Sequence, residues 1–210
     1  TPNNFSVSAG AGNDSMVDSP TSYGTDTGVG GSVRGNYCTL NPLSNGGATL
    51  AIGNLQFSFA SAANWITCNS TMGMSSGKWY WEVSPTSTGG TLYCQVGINR
   101  NWANDLAIPL SSNVYGYSYS AHNGNKGNNG SGSAYGSTWT VNDIIGIAFD
   151  ADAGTLTFYK NNTSQGVAYS GLASGDYVPA VSLTETQTAY INLGQRAFAY
   201  TAPSGFKALC

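Results

Sequence analysis

Charge is scarce in this chain. It carries 7 Lys and Arg against 10 Asp and Glu, a formal net charge of -3, and charged residues make up 8% of its 210 positions, against about 25% in an average soluble protein. A phosphate-tracking binder needs clustered cations to release counterions, so nucleic acid is excluded as a partner. Glutamate is nearly missing, with only Glu82 and Glu185 present. A glycosidase needs two carboxyl groups flanking the scissile bond, and no E-x-D-x-E arrangement occurs; Glu82 reads as an exposed strand carboxylate. The single histidine, His122, would have to carry any Ser-His-Asp or Cys-His site. It lies in SAHNGNKGNNGSGS, a stretch that reads as a glycine-rich loop and a poor rigid support for a general base. Cys38, Cys68, Cys94 and Cys210 fit no CxxC spacing, and with one histidine they supply no zinc set. No run approaches the roughly 20 apolar residues of a membrane helix. The opening TPNNFSVSAG lacks the basic start and apolar centre of a signal peptide.

These absences predict no catalytic residue and no cofactor. For a metal, the one candidate is calcium at Asp150 and Asp152 of D-A-D-A-G. The downstream glutamate of an oxygen-ligand loop is missing, and the same residues make an ordinary Asp/Gly turn.

What the chain has is 28 glycines and 12% aromatics within a 40% hydrophobic composition. That combination suits many turns joining strands around an aromatic core. Residues 1–35, rich in Ser, Gly, Asn, Asp and Thr, read as an extended arm or leader; residues 36–210 read as one folded unit. The start without Met and the end at Cys210 suit a segment of a longer or processed protein. In GKWYWEV, Trp79, Trp81 and Val83 take one face while Lys78, Tyr80 and Glu82 take the other. TLYCQVGI repeats the alternation, with Cys94 beside Leu92, Val96 and Ile98, so Cys94 is expected to be a buried free thiol. DIIGIAFD and TLTFYKN, joined by DADAG, predict a hairpin. YVPAVSL and TAYINLG predict two further strands, the first at an edge or a bulge because of Pro179. No helical periodicity runs for ten residues. The fold class is all-β, a two-sheet antiparallel β-sandwich.

The order of these pieces resembles the SPRY domain, a concanavalin A-like β-sandwich or jelly roll. The matching stretches are GKWYWEV at 77–83, QVGI at 95–98, YGYS at 115–118, DIIGIAFDADAGTLTFYKNN at 143–162, YVPAVSL at 177–183 and INLGQRAF at 191–198, a motif core of about 70–200. Trp79, Trp81, Gly97, Gly146, Phe149, Asp150, Phe158, Pro179 and Gly194 match the family's core and turn positions. The preceding YGTDTGVGGSVRGNYCTLNPL and GATLAIGNLQF resemble leaders of such modules in tail, fibre and other virion proteins of tailed bacteriophages. The resemblance implies a rigid scaffold that binds through loops, without catalysis, and a virion or extracellular location.

Two loops remain for a ligand. One, at 99–113, offers Arg100 and Trp102; the other, at 119–137, offers Tyr119, His122, Asn123, Asn125 and Lys126. Aromatic faces beside amide and hydroxyl groups suit a sugar ring, and long loops on rigid scaffolds carry function. The expectation is a non-enzymatic recognition module of a phage virion or surface assembly that binds a host-surface glycan or protein. The alternative is a decoration subunit of a capsid, tail or filament, whose partners are neighbouring virion subunits or further copies of itself. A polysaccharide hydrolase ranks last, and no membrane insertion is expected.

Overall fold

The computed structural model of the chain describes residues 37–88, 90–100 and 105–209, with the side chains of 61–63 and 87–88 left out. The arm at 1–35, Trp102 and Cys210 lie outside the described residues. In chain order the strands are β1 (Thr49–Ala51), β2 (Gln56–Asn69), β3 (Lys78–Thr88), β4 (Cys94–Asn99), β5 (Gly116–Ser120), β6 (Asn125–Asn128), β7 (Ser131–Ala134), β8 (Ile145–Asp150), β9 (Thr155–Lys160), β10 (Thr163–Tyr169) and β11 (Val178–Asn192). A 3-10 turn, Leu110–Ser112, is the only helical element among the described residues.

The two long strands make the sandwich. β11 pairs with β2 along Ala180–Tyr190, and between Thr184↔Trp65 and Glu185↔Ser61 the β2 partner advances four positions for one on β11. The additional β2 residues form a bulge, and Glu185 there takes φ 61°; bulges of this kind bend a strand sharply. Before the bend, β11 pairs with β4 through Val178–Leu183. After it, β11 pairs with β3 through Gln187–Asn192. The continuous ladder therefore folds into two faces. One sheet runs β10-β9-β8-β3-β11-β2-β1, and the other runs β7-β6-β5-β4-β11-β2.

Period-2 alternation fills the space between them. Trp81 pairs with Ile147 and Ile147 with Phe158, and these meet Cys94, Val96, Ile98 and Tyr119 of the second sheet in one buried cluster. Each such side chain taken from water contributes about 1.5–3 kcal/mol. The β8–β9 hairpin forms as expected, with Asp150 opposite Thr155. The tail closes the domain: Lys207 N–H donates to Lys78 O at 3.0 Å, and Leu209 N–H donates to Leu193 O at 2.9 Å.

Two expectations change. YVPAVSL and TAYINLG are one 15-residue strand, and Pro179 lies near its start in the middle of the ladder, opposite Ile98, not at an edge. Pro179 O accepts from Ser70 N–H at 2.9 Å. Its missing N–H therefore faces the β2 side at the very end of that pairing, which begins at Ala180↔Asn69, so Pro179 and Ser70 share one hydrogen bond where an antiparallel pair would exchange two. The glycine-rich stretch after His122 is likewise not a solvated loop but the hairpin β6–β7. Its turn is Asn129–Gly130, both with positive φ at 51° and 74°, the type I′ geometry that Asn-Gly favours.

Cys38, Cys68 and Cys94 are buried free thiols. Burial pushes Cys68 up to about 12, despite a backbone hydrogen bond at Asn41 that opposes it, and raises Cys94 and Cys38 as well. The thiolate is the reactive species, so iodoacetamide at pH 8 should leave these three unmodified in the native protein and label all three in guanidinium. Peptide mapping reads the result; fast native labelling of Cys68 or Cys94 would contradict the packing.

Candidate functional site: a polar pocket and an aromatic ledge

The outer face of the second sheet is built in rungs. Pairing across β2, β11, β4, β5, β6 and β7 aligns Asn69, Ala180, Gly97, Ser118, Gly127 and Gly132 on one rung. Thr67, Ser182, Gln95 and Ser120 form the next. Trp65 and Thr184 begin a third, which continues in space through Tyr93 to His122. The rings of Trp65 and Tyr93 stand edge to face with centroids 6.4 Å apart. Those of Tyr93 and His122 are 5.1 Å apart at 52°. Trp65 and Tyr93 are half-buried and His122 is exposed, so the three rings form a ledge open to solvent along one side.

Part of this face is covered. Thr67 N–H donates to Leu106 O and its hydroxyl to Ile108 O at 2.8 Å. Leu110 N–H donates to Ser182 Oγ at 2.9 Å, and Ser111 N–H to Gln95 Oε1 at 2.9 Å. The 3-10 turn thus lies across the second rung. It comes close to β6 because residue 127 is glycine: a Cβ there would stand 2.6 Å from Ser111 Cβ. Beyond the turn the face stays open as a pocket of about 180 Å³, with Gln95, Ser118, Ser120, His122, Asn123 and Asn125 in its lining. Ser120 Oγ lies 3.3 Å from His122 Nδ1, and Asn123 Oδ1 accepts from Asn125 N–H at 3.0 Å. Hydroxyl, amide and imidazole groups on a glycine floor can hydrogen-bond a neutral ligand. They form no nucleophile–base–acid constellation.

The residues singled out from the sequence are distributed unequally. His122, Asn123 and Asn125 converge on the pocket. Lys126 also lines it, but its ammonium donates to Ala168 O at 2.6 Å and lies 5.4 Å from the Tyr169 ring, which leaves it little to offer a ligand. Tyr119 is corrected: it is fully buried, because period 2 gives the outer face to Ser118 and Ser120. Its ring packs 5.2 Å from that of Phe158, and its hydroxyl donates to Ser137 O. Arg100 is spent elsewhere, donating to Ser174 O at 2.5 Å over the Tyr177 ring. Trp65, Tyr93, Gln95 and the two serines were missed. The alternation of TLYCQVGI already places Tyr93 and Gln95 outward, but nothing local places Trp65 beside them.

The calcium candidates serve the turn. Asp150 meets Lys78 Nζ at 3.1 Å and accepts from Ala153 N–H at 2.9 Å, while Asp152 accepts from Gly77 N–H at 2.8 Å. Burial pushes the Asp150 carboxyl up, but the Ala153 N–H and Lys78 outweigh it and hold the group below the usual carboxylate range. No group of three or more His, Cys, Asp or Glu that could hold a metal ion occurs among the described residues. Glu82 is also corrected: it is buried, and its oxygens accept from Ala199 N–H, Tyr200 N–H and the Tyr80 hydroxyl.

The described residues thus form a curled antiparallel sandwich whose outer sheet face carries a polar pocket. The chain belongs to the SPRY domain family, whose model matches residues 78–196. It is 29% identical over 185 residues to the ATP-dependent RNA helicase DDX1 of Xenopus laevis, covering 85% of this chain and 24% of that protein. To the E3 ubiquitin-protein ligase RKP of Arabidopsis thaliana it is 31% identical over 143 residues, covering 63% of this chain and 10% of that one. The chain therefore spans a quarter or less of these relatives. The crystal structure of the SPRY domain of human HERC1 superposes with a TM-score of 0.65 at 20% identity, covering 73% of this chain and 96% of that one. SPRY domains are protein-interaction modules.

Proposed function

We propose that this chain is a non-enzymatic module that binds another protein through the outer face of β4–β7, using the pocket at His122, Asn123 and Asn125 and the ledge of Trp65, Tyr93 and His122. The observation that carries this reading is the pocket itself. It gathers neutral hydrogen-bonding groups beside half-exposed rings, the mixture of apolar body and polar tip that favours protein contacts. On the opposite face residues 196–201 are strapped over the sheet by Glu82, beside a pocket of about 240 Å³ that lacks such a row of exposed rings.

The ledge favours one second reading. Rings next to hydroxyls and amides are also suited to a glycan, and with the leader's resemblance this gives a host-recognition module on a virion or other extracellular surface. In the same setting the partner is a neighbouring subunit or another copy of the chain. The two relatives described above are a frog and a plant protein, which weights the first reading.

The test is binding of the purified chain to protein and glycan arrays, with a Tyr93→Ala, His122→Ala double variant as control. Both side chains are at least partly exposed, so the variant should keep the wild-type circular dichroism and Tm. The expected result is saturable binding to proteins, weakened at least tenfold in the folded variant. Glycan binding lost in the same variant would instead support the second reading. Protein binding unchanged in the variant would remove this face from consideration.

A further inference from the structure

The second sheet ends in an unguarded strand. Its far side, at β2, is covered: Asn69 N–H donates to Ser44 O at 2.9 Å and Thr67 N–H to Leu106 O at 2.8 Å. In the first sheet, β10 carries two register shifts and a glycine at φ 87°, and β1 is three residues long. Native edges are usually blunted by such bulges, by charge or by proline. β7 is Ser-Gly-Ser-Ala, short but exposed at all four residues and regularly paired with β6, with no bulge, charge or proline.

Its hydrogen-bonding direction follows from the turn. In a two-residue type I′ hairpin the flanking pair, Asn128↔Ser131, exchanges hydrogen bonds, and every second pair does so thereafter. Ser131 and Ser133 thus point their backbone groups at β6. Gly132 and Ala134 point theirs away from the domain. Gly127, opposite Gly132, agrees: its carbonyl accepts from the Ser118 and Tyr169 hydroxyls and not from β7.

We propose that β7 is a strand-addition site, where an extended segment of the partner protein pairs with the outward N–H and C=O groups of Gly132 and Ala134. The proposal rests on the binding face assigned above and specifies how the partner is held. A segment so paired would lengthen the rung of Ser118, Gly127 and Gly132. It would place alternate side chains on the outer face, beside a pocket whose lining includes Gly130, Ser131 and Gly132. That lining contains no carboxylate, and its one cation, Lys126, is already bonded to Ala168 O. The residues entering the pocket are therefore uncharged, while main-chain pairing supplies the affinity.

The probe is a displayed library of random twelve-residue peptides, selected on the wild-type chain. Selected peptides should lose at least tenfold in affinity for an Ala134→Pro variant, which removes an outward N–H and no internal bond. N-methylation of alternate peptide residues should cause the same loss, and methylation of the intervening ones should not. The N-methyl series keeps the question answerable if the proline variant fails to fold. Peptides that depend on Tyr93 and His122 but tolerate both proline and N-methylation would overturn strand addition and leave the binding face standing. Peptides indifferent to all of these changes would remove both, and a selection with no enrichment would overturn strand addition.

Discussion

Replacing Glu82 by alanine is expected to cost about 3 kcal/mol of folding stability, because it strands hydrogen-bond donors that this carboxylate accepts from. Glu82 sits on the side of β3 away from the core, opposite Gly146. Its Oε2 accepts from Ala199 N–H at 2.8 Å. Its Oε1 accepts from Tyr200 N–H at 2.9 Å and from the Tyr80 hydroxyl at 3.2 Å. The Tyr80 ring in turn packs edge to face on Phe198, with centroids 5.0 Å apart, so carboxylate and ring together fasten residues 196–201 to the sheet. Glu82→Gln keeps the shape but turns an amide N–H toward one of the backbone donors, and should cost about half as much. Urea titration reads both variants, with the slope unchanged if the effect is on the native state. A glutamine variant no more stable than alanine would mean that shape, and not acceptor chemistry, holds the strap.

The same residue shows what the sequence conveys and what it withholds. Alternation in GKWYWEV correctly puts Trp81 inward and Glu82 outward, since period 2 is a local property of extended backbone. It cannot say that the outward face will be roofed by residues more than a hundred positions later. Tyr119 fails in the opposite sense. A run of Ser, Asn and Gly reads as loop by composition, yet the Asn129–Gly130 turn closes a hairpin there and the alternation begun in β5 carries Tyr119 into the core. The pocket was half legible for this reason. His122, Asn123 and Asn125 are close in sequence and stay together. Trp65 joins the ledge only through the bend of β2 against β11, which no segment announces by itself. The family was legible because its signals are short alternating stretches in a fixed order.

Gly97→Ala should cost a comparable amount, about 3 kcal/mol, by a different route. Gly97 lies at the middle of the outer rung, paired with Ala180 on one side and Ser118 on the other. A Cβ built on it would fall far inside van der Waals contact with Tyr117 O, and 3.1 Å from Ser118 Cα. These are backbone atoms that no rotamer change can move, so the methyl must push β4 from β5. Gln95 and Ser120 are paired two residues along the same ladder, so widening it displaces the pocket floor as well. Gly132→Ala provides the control, since its Cβ would meet nothing closer than 3.7 Å and should change stability by less than about 0.5 kcal/mol. Measured side by side by thermal and urea unfolding, the two alanines separate a glycine that the fold requires from one that leaves an edge bare. If Gly97→Ala proves as stable as wild type, β4 and β5 are spaced more widely than the close approach of Gly97 to Tyr117 implies, and the pocket would have to be redrawn with them.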